Sequence, residues 1–421
     1  MKILFLSENF PPETNAAATR VYERAVYWAR WGHDVTVITC APNFPHGKIF
    51  PGYENKWRQT ENIDGIRVVR VKTYVASNRG IFRRTIDFLS FMATGFLAAL
   101  GEKKPDLVTA TSPQFFAAVA GWAVGAVRRV PFVFELGDLW PDSIAAVGAM
   151  KPNLALRLVE KLELFLYRRS ACVCALTGTF KENLVSRGIP EGKIAVVVNG
   201  VDLPRYGPRP RNAALAEAWE IKGRFVIGYV GTHGMAHALT NVLDAAEKLT
   251  QEKNVRFLFA GAGAEREALM GDAARRGLKN TVFMPAQPKG SMPDVWSLCD
   301  VALVHLKDSP VFAGVIPSKI FEAMGMGLPI ILSAPKGEAS KIVEYDKAGL
   351  WVPAEDPEAL SRAVRSLFRR PKARKIFAQK SLEAAPLHSR ERQAKHMIAV
   401  YELAVKGQGG AVGGIEDGDG P

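Results

Sequence analysis

The chain has 421 residues, 48% of them hydrophobic and 23% charged, the balance of an ordinary soluble globular protein with room for two to three domains. Its net charge is +13, yet it shows no RNA-module interleaving of aromatic and basic residues and no DNA-binding motif, so no nucleic acid partner is expected. No run of about 20 apolar residues could span a membrane. MKILFLSENFPP lacks the apolar run and cleavage site of a signal peptide, so a cytoplasmic protein is expected.

Lys2–Leu6 is a short apolar strand, Ala16–Trp31 an amphipathic helix and Val35–Cys40 the next strand. IRVVRV, DLVTAT, PFVFE, ACVCAL and IAVVV continue the strand series, with helical segments between most of them. Short β-rich runs separated by helices predict an α/β fold with a parallel sheet covered on both faces. Asn199-Gly200-Val201-Asp202 is a turn signal that closes a first domain, 1–202. Leu203–Gly223, rich in Pro and Arg, reads as the connection into a second, 203–388. There the alternation resumes at Phe225–Gly231 and runs through VRFLFAG, TVFMPA, DVALVHL, LPIILS and GLWVP, enough for a second doubly wound sheet. A last helix, Ser389–Val405, carries the stripe Met397, Val400, Tyr401, Ala404. The tail 406–421 is glycine-rich and is expected to be disordered.

Cys40, Cys172, Cys174 and Cys299 form no CxxC pair and no zinc spacing, so they read as free structural thiols, and no metal or cofactor is expected. Positive charge gathers between Arg67 and Lys104, where eight basic residues face two acidic ones around the apolar run Ile86–Leu100. Basic flanks on an apolar helix suit an anionic membrane surface, with an edge at Arg79, Phe82, Arg83 and Arg84; a core helix with solvated ends is the alternative.

In doubly wound sheets, ligands bind beyond the carboxyl ends of the strands. Four loops qualify. In Ser7–Arg20, Asn15 and the small Ala16 permit close backbone approach to a ligand, or Asn15 merely caps a helix. In Glu135–Ser143, Glu135 and Asp138 could accept hydrogen bonds from hydroxyls or act as a base, beside Trp140 and Pro141, while Asp142 or Ser143 could cap a helix. Gly231–His237, GTHGMAH, looks like a phosphate-cradling turn of Gly231, Thr232, His233, Gly234 and His237 ahead of the helix Leu239–Leu249, although both histidines could be surface residues. It is neither GxGxxG nor a P-loop, which disfavours nicotinamide cofactors.

Val311–Ile331, VFAGVIPSKIFEAMGMGLPII, is the most informative stretch. Gly314 suggests a tight turn, Pro317 a first helical turn, and Ser318 and Lys319 an anion site at a helix start. Glu322 follows, a carboxylate suited to sugar hydroxyls rather than phosphate. Together they suggest a phosphorylated ligand bearing hydroxyls, such as a nucleotide; a capped helix start with a solvated Lys and Glu is the plainer alternative.

PPETNAAATR, GHDVTVIT at Gly32–Thr39, NGVD at Asn199–Asp202, FEAMGMGLPII at Phe321–Ile331 and ERQAKHMIAVYELA at Glu391–Ala404 occur in the order of a known family. On these the chain resembles the retaining family-4 glycosyltransferases of the GT-B fold. ELGDLWPDS, GTHGMAH and PSKIFE look most like the bacterial surface-polysaccharide branch, which includes N-acetylfucosaminyltransferases. The resemblance implies two Rossmann-like domains facing a cleft, with the last helix crossing back to the first domain. It also implies sugar transfer from a nucleotide diphosphate donor, expected to be UDP-linked, to a lipid-linked or saccharide hydroxyl, with retention and without a metal. It assigns the donor ribose to Glu322. The phosphates fall to Lys319, the amides near Val315 and Ile316 and the turn at Gly231 and Thr232, and the acceptor side to the Asp138 loop. Asp138 and Lys319 carry the catalytic expectation. The chain departs from the family pattern in two ways: Gly314 stands where a second glutamate is usual, and Thr232 and the His237 region stand in place of an arginine and a lysine. A nonhydrolysing UDP-sugar 2-epimerase and a non-catalytic nucleotide-sugar-binding protein are the rival readings.

Overall fold

The computed structural model describes residues 1–44, 46–76, 81–112, 115–139 and 154–415. It divides into two units, Met1–Asn199 with Arg390–Gly420, and Gly200–Ser389.

The first unit is built on eight strands: β1 Lys2–Leu6, β2 Asp34–Cys40, β3 Arg58–Ile63, β4 Ile66–Val71, β5 Leu107–Thr111, β6 Phe132–Leu136, β7 Cys172–Ala175 and β8 Ile194–Val196. Their order is β3-β4-β2-β1-β5-β6-β7-β8. Every recorded pairing is parallel except β3–β4, which is antiparallel. The sheet is therefore not purely parallel as expected. A hairpin closes its edge through Asp64 (φ 50°) and Gly65 (φ 85°), the two positive φ values that a two-residue turn of the hairpin type demands.

Alternate residues of each strand feed two cores. Leu4, Ile38, Val69 and Phe134 pack under the helices Ile81–Leu100, Phe115–Arg128 and Leu154–Arg169. Ile3, Val37, Val68 and Val133 pack under Ala16–Arg30 and the last helix, Arg390–Val405. That last helix belongs to the first unit. Trp28 donates its indole N–H to the Ala394 carbonyl at 3.0 Å and meets the Tyr401 ring at 5.4 Å. The stripe Met397, Val400, Tyr401, Ala404 is buried, as its spacing predicts. All four cysteines are buried and free.

The expectation of a disordered tail is corrected for its first part. Residues Gly409–Gly414 form a 3-10 helix with Val412 fully buried in the second of these cores. Residues 416–421 lie outside the described residues.

The second unit has six parallel strands: β9 Phe225–Val230, β10 Val255–Ala260, β11 Thr281–Met284, β12 Val301–His305, β13 Ile330–Ser333 and β14 Gly349–Val352. Their order is β11-β10-β9-β12-β13-β14, so the strand order reverses between β9 and β12. In the first unit the reversal falls between β1 and β5. Loops leaving these four strands are where such folds bind ligands.

Candidate functional site

In the second unit, the chain leaves β9 at Gly231. Its φ is +142°, a conformation that side-chain-bearing residues rarely adopt, and an added Cβ would lie 2.9 Å from Lys319 Nζ. Glycine thus both turns the chain and admits the lysine. Lys319 opens the short helix Lys319–Gly325 and is 9% exposed. Its Nζ lies 3.7 Å from the centre of the Tyr229 ring and has no hydrogen-bond partner among the described residues. Burial pushes this amine down from 10.5 to about 7, and Glu322 pulls in the other direction.

Three imidazoles gather around it. His233 is fully buried, and neither ring nitrogen has a partner among the described residues. Its backbone is pinned: the amide donates to Ala262 O at 2.9 Å and the carbonyl accepts from the Glu265 amide at 3.0 Å. His237 and His305 lock each other. His237 Nδ1 lies 3.2 Å from the His305 carbonyl and His305 Nδ1 2.7 Å from the His237 carbonyl. Burial first, with positive charge at Lys319 contributing in each case, pushes His233, His237 and His305 down to about 4, so all three rings are neutral at pH 7. The sequence reading passed over His305, although a histidine closing a buried apolar strand is a visible signal.

Glu322 lies one turn along the same helix and accepts a hydrogen bond from Trp296 Nε1 at 3.0 Å. Thr232 and Ser318 are exposed, and Gly234 is half-buried. Two expectations are corrected here. Gly314 has an ordinary φ of −86° at the end of the one-turn helix Pro310–Ala313, so the turn does not depend on glycine. The Val315 amide donates to Phe312 O at 3.2 Å and is already committed within its own turn. Ile316 and Pro317 are half-buried beside it.

In the first unit, a cavity of about 370 Å³ brings together Asn15, Ala16 and Asp138 from separate loops, and adds Glu8, Arg20 and Asp87. Asn15 caps the helix Ala16–Arg30, its Oδ1 accepting from the Ala18 amide at 2.9 Å. Its Nδ2 is buried without a partner among the described residues. Arg20 is committed to the wall, donating to Thr111 Oγ1 at 2.6 Å and the Ser112 carbonyl at 3.1 Å. Ser112 also holds the Asp138 loop, accepting from the Gly137 amide at 2.8 Å and the Asp138 amide at 3.2 Å. Burial, with Asp87 adding to it, raises the Glu8 carboxyl well above its usual range. Burial also lifts Asp87 to about 7, against the opposing pull of the Ala76 backbone N–H and Arg84.

Glu135 is corrected as an acceptor-facing residue. It is 4% exposed, ion-paired to Arg24, and its other oxygen accepts from the Tyr401 hydroxyl, so it ties β6 to two helices. Trp140, Pro141, Asp142 and Ser143 lie outside the described residues, as does Arg79. Among the described residues, no three His, Cys, Asp or Glu side chains are grouped to hold a metal ion.

Residues 15–200 match the Glycosyl transferase 4-like domain, and residues 213–383 match the Glycosyl transferases group 1 family. In succession these two glycosyltransferase models match most of the chain, and its architecture of two Rossmann-like units is that of the GT-B fold. Among its relatives is the putative colanic acid biosynthesis glycosyl transferase WcaI of Escherichia coli, 24% identical over 91% of this chain and 97% of that protein. Another is a GDP-mannose-dependent alpha-mannosyltransferase of Mycobacterium tuberculosis, 26% identical over 86% of this chain and 88% of the relative. Among solved structures, the fold resembles that of the sucrose-phosphate synthase of Thermosynechococcus elongatus, with a TM-score of 0.76, 18% identity and coverage of 96% and 98%. It also resembles Anabaena HepE in complex with UDP, with a TM-score of 0.69, 17% identity and coverage of 96% and 100%.

Proposed function

We propose that this glycosyltransferase moves a sugar from a UDP-linked donor to an acceptor hydroxyl with retention of anomeric configuration, in the assembly of a bacterial surface polysaccharide or glycolipid. The observation that carries this reading is the buried Lys319 Nζ and the two His233 ring nitrogens, three buried nitrogens without partners among the described residues, beside the strand-order reversal of the second unit. Buried polar atoms without partners are costly, and a diphosphate supplies acceptors for the Lys319 ammonium and for the one ring nitrogen of neutral His233 that carries a proton. Glu322 accepts hydrogen bonds from the donor's hydroxyls.

In the transfer step, the bond from the anomeric carbon to the diphosphate breaks as the acceptor oxygen attacks from the same face. The departing phosphate oxygen takes the acceptor proton. Lys319, as ammonium, stabilises the charge that develops on the leaving group, the work a metal ion does in other transferases. The binding of UDP by HepE and the polysaccharide role in the WcaI name support the nucleotide and the pathway class. An N-acetylated amino-deoxyhexose is the donor sugar to try first. The acceptor is carried on a lipid at the cytoplasmic face of the membrane, which the protein meets peripherally.

The test is a thermal-shift screen with UDP, GDP, ADP and TDP. A nucleotide at about 100 times its dissociation constant stabilises the folded protein by about 2.7 kcal/mol. UDP is expected to give the largest shift, and Lys319→Met to weaken UDP about 10- to 100-fold, the scale of one lost charged hydrogen bond. A larger shift with GDP reassigns the nucleotide; no shift with any of the four overturns the reading.

A further inference from the structure

The cavity of the first unit contains two polar atoms that the fold buries and leaves without partners among the described residues: Asp87 Oδ1 and Asn15 Nδ2. Asp87 is 6% exposed and is the one charged residue within Ile86–Leu100. Its carboxylate receives the Ala76 backbone N–H, so only one of its oxygens is satisfied. An acceptor atom and a donor atom, both desolvated in advance, line one cavity. Such a pair is stable only if a ligand or ordered water completes it.

The charges around the pair restrict what that ligand can be. Burial holds the Glu8 and Asp87 carboxyls toward their neutral forms, which leaves no strong negative field for a cation, and Arg20 and Arg84 repel one. Arg20 already donates to Thr111 and Ser112 and does not await a phosphate. Phe44 and Phe88 add apolar ring surface to the same wall. Uncharged hydroxyls alternating with an apolar C–H face are what a sugar ring offers, and its hydroxyls can both donate and accept.

We propose that Asp87 and Asn15 bind the acceptor sugar: Asp87 Oδ1 accepts a hydrogen bond from one hydroxyl, Asn15 Nδ2 donates to a neighbouring oxygen, and the portion of the acceptor that enters is a neutral saccharide rather than its phosphate. This deepens the glycosyl-transfer reading and rests on it. Asp87 thereby becomes a substrate-contacting residue that no sequence motif marks.

The probes are the methyl glycosides of glucose, galactose, mannose and N-acetylglucosamine at millimolar concentration, observed by saturation-transfer NMR on the full chain. At least one is expected to bind. Asp87→Ala is expected to weaken it tenfold or more, and the near-isosteric Asp87→Asn at least threefold. Both variants should retain the UDP thermal shift, which reports on the other unit and shows that they are folded. Silence from all four glycosides overturns the proposal, as does equal binding by Asp87→Asn. If UDP still shifts the midpoint in that case, the transfer reading stands and only the acceptor assignment falls.

Discussion

A lysine that loses its water on folding holds its proton weakly until a negative charge returns. Lys319 is in that condition: its amine falls from 10.5 to about 7 through burial, and the nearest imidazoles are neutral. Between those two pH values the unfolded chain binds the proton and the folded one does not, so the free protein gains stability as pH rises through that window, by on the order of 5 kcal/mol. A bound diphosphate reverses the preference and draws a proton in. UDP affinity is therefore expected to fall up to tenfold per pH unit above about 7. Calorimetry in buffers of different ionisation enthalpy should show proton uptake on binding, and Lys319→Met should remove both the uptake and the pH slope. A flat affinity between pH 7 and 9 would contradict the role. Gly231, His233 and His237 stand out in the sequence because they follow the end of β9, and Lys319 because it opens a helix just after Pro317. Asp87 and Arg20 were not, because each sits inside a run that reads as an ordinary helix, and only the folded sheet brings them to Asn15 and Asp138. Glu135 misled for the opposite reason: it too closes a strand, but strand alternation turns it into the core toward Arg24 and Tyr401.

Elements were legible where apolar residues run together and obscure where they do not. RQTENI has no apolar run because β3 is an edge strand, with alternate residues exposed and the others half-buried. Its Asp64-Gly65 turn was nevertheless a readable hairpin signal. The tail shows the limit of composition. Glycine lowers the cost of disorder, but it also lets backbones approach where a side chain would block them. A Cβ on Gly409 would lie 2.5 Å from the Ala171 carbonyl oxygen, and one on Gly192 would lie 2.4 Å from that of Gly410. Glycines thus seat the tail against the turn Glu191–Lys193, and Val412 anchors it. Gly409→Val should lift the segment, at a cost of roughly 1–3 kcal/mol as for other overpacked sites. Hydrogen exchange of residues 409–415 should accelerate markedly while the amides of β1 and β5 stay protected. Unchanged exchange in 409–415 would show that the close contacts do not hold the tail.

At the scale of the whole molecule, the +13 net charge favours anionic surfaces, while the described residues contain no helix long and apolar enough to cross a membrane. The helix Ile81–Leu100 supplies a place where the two properties meet. Its inner face packs Phe91 and Ala99 into the core, and its outer face leaves Phe82 78% and Leu97 67% exposed, with Leu89 between them at 39%. Arg83 is exposed beside Phe82. Basic residues near an anionic surface contribute about 1 kcal/mol each and are screened by salt, whereas apolar side chains that enter the interface are not screened. The two contributions can therefore be separated. The protein should float with vesicles containing phosphatidylglycerol at low salt, less at raised salt, and not with purely zwitterionic vesicles. Phe82→Ser with Leu97→Ser should reduce flotation at both salts, while Arg83→Ser should reduce it mainly at low salt. Absence of flotation with anionic vesicles at either salt would leave these side chains as ordinary exposed residues and remove the basis for a membrane-borne acceptor.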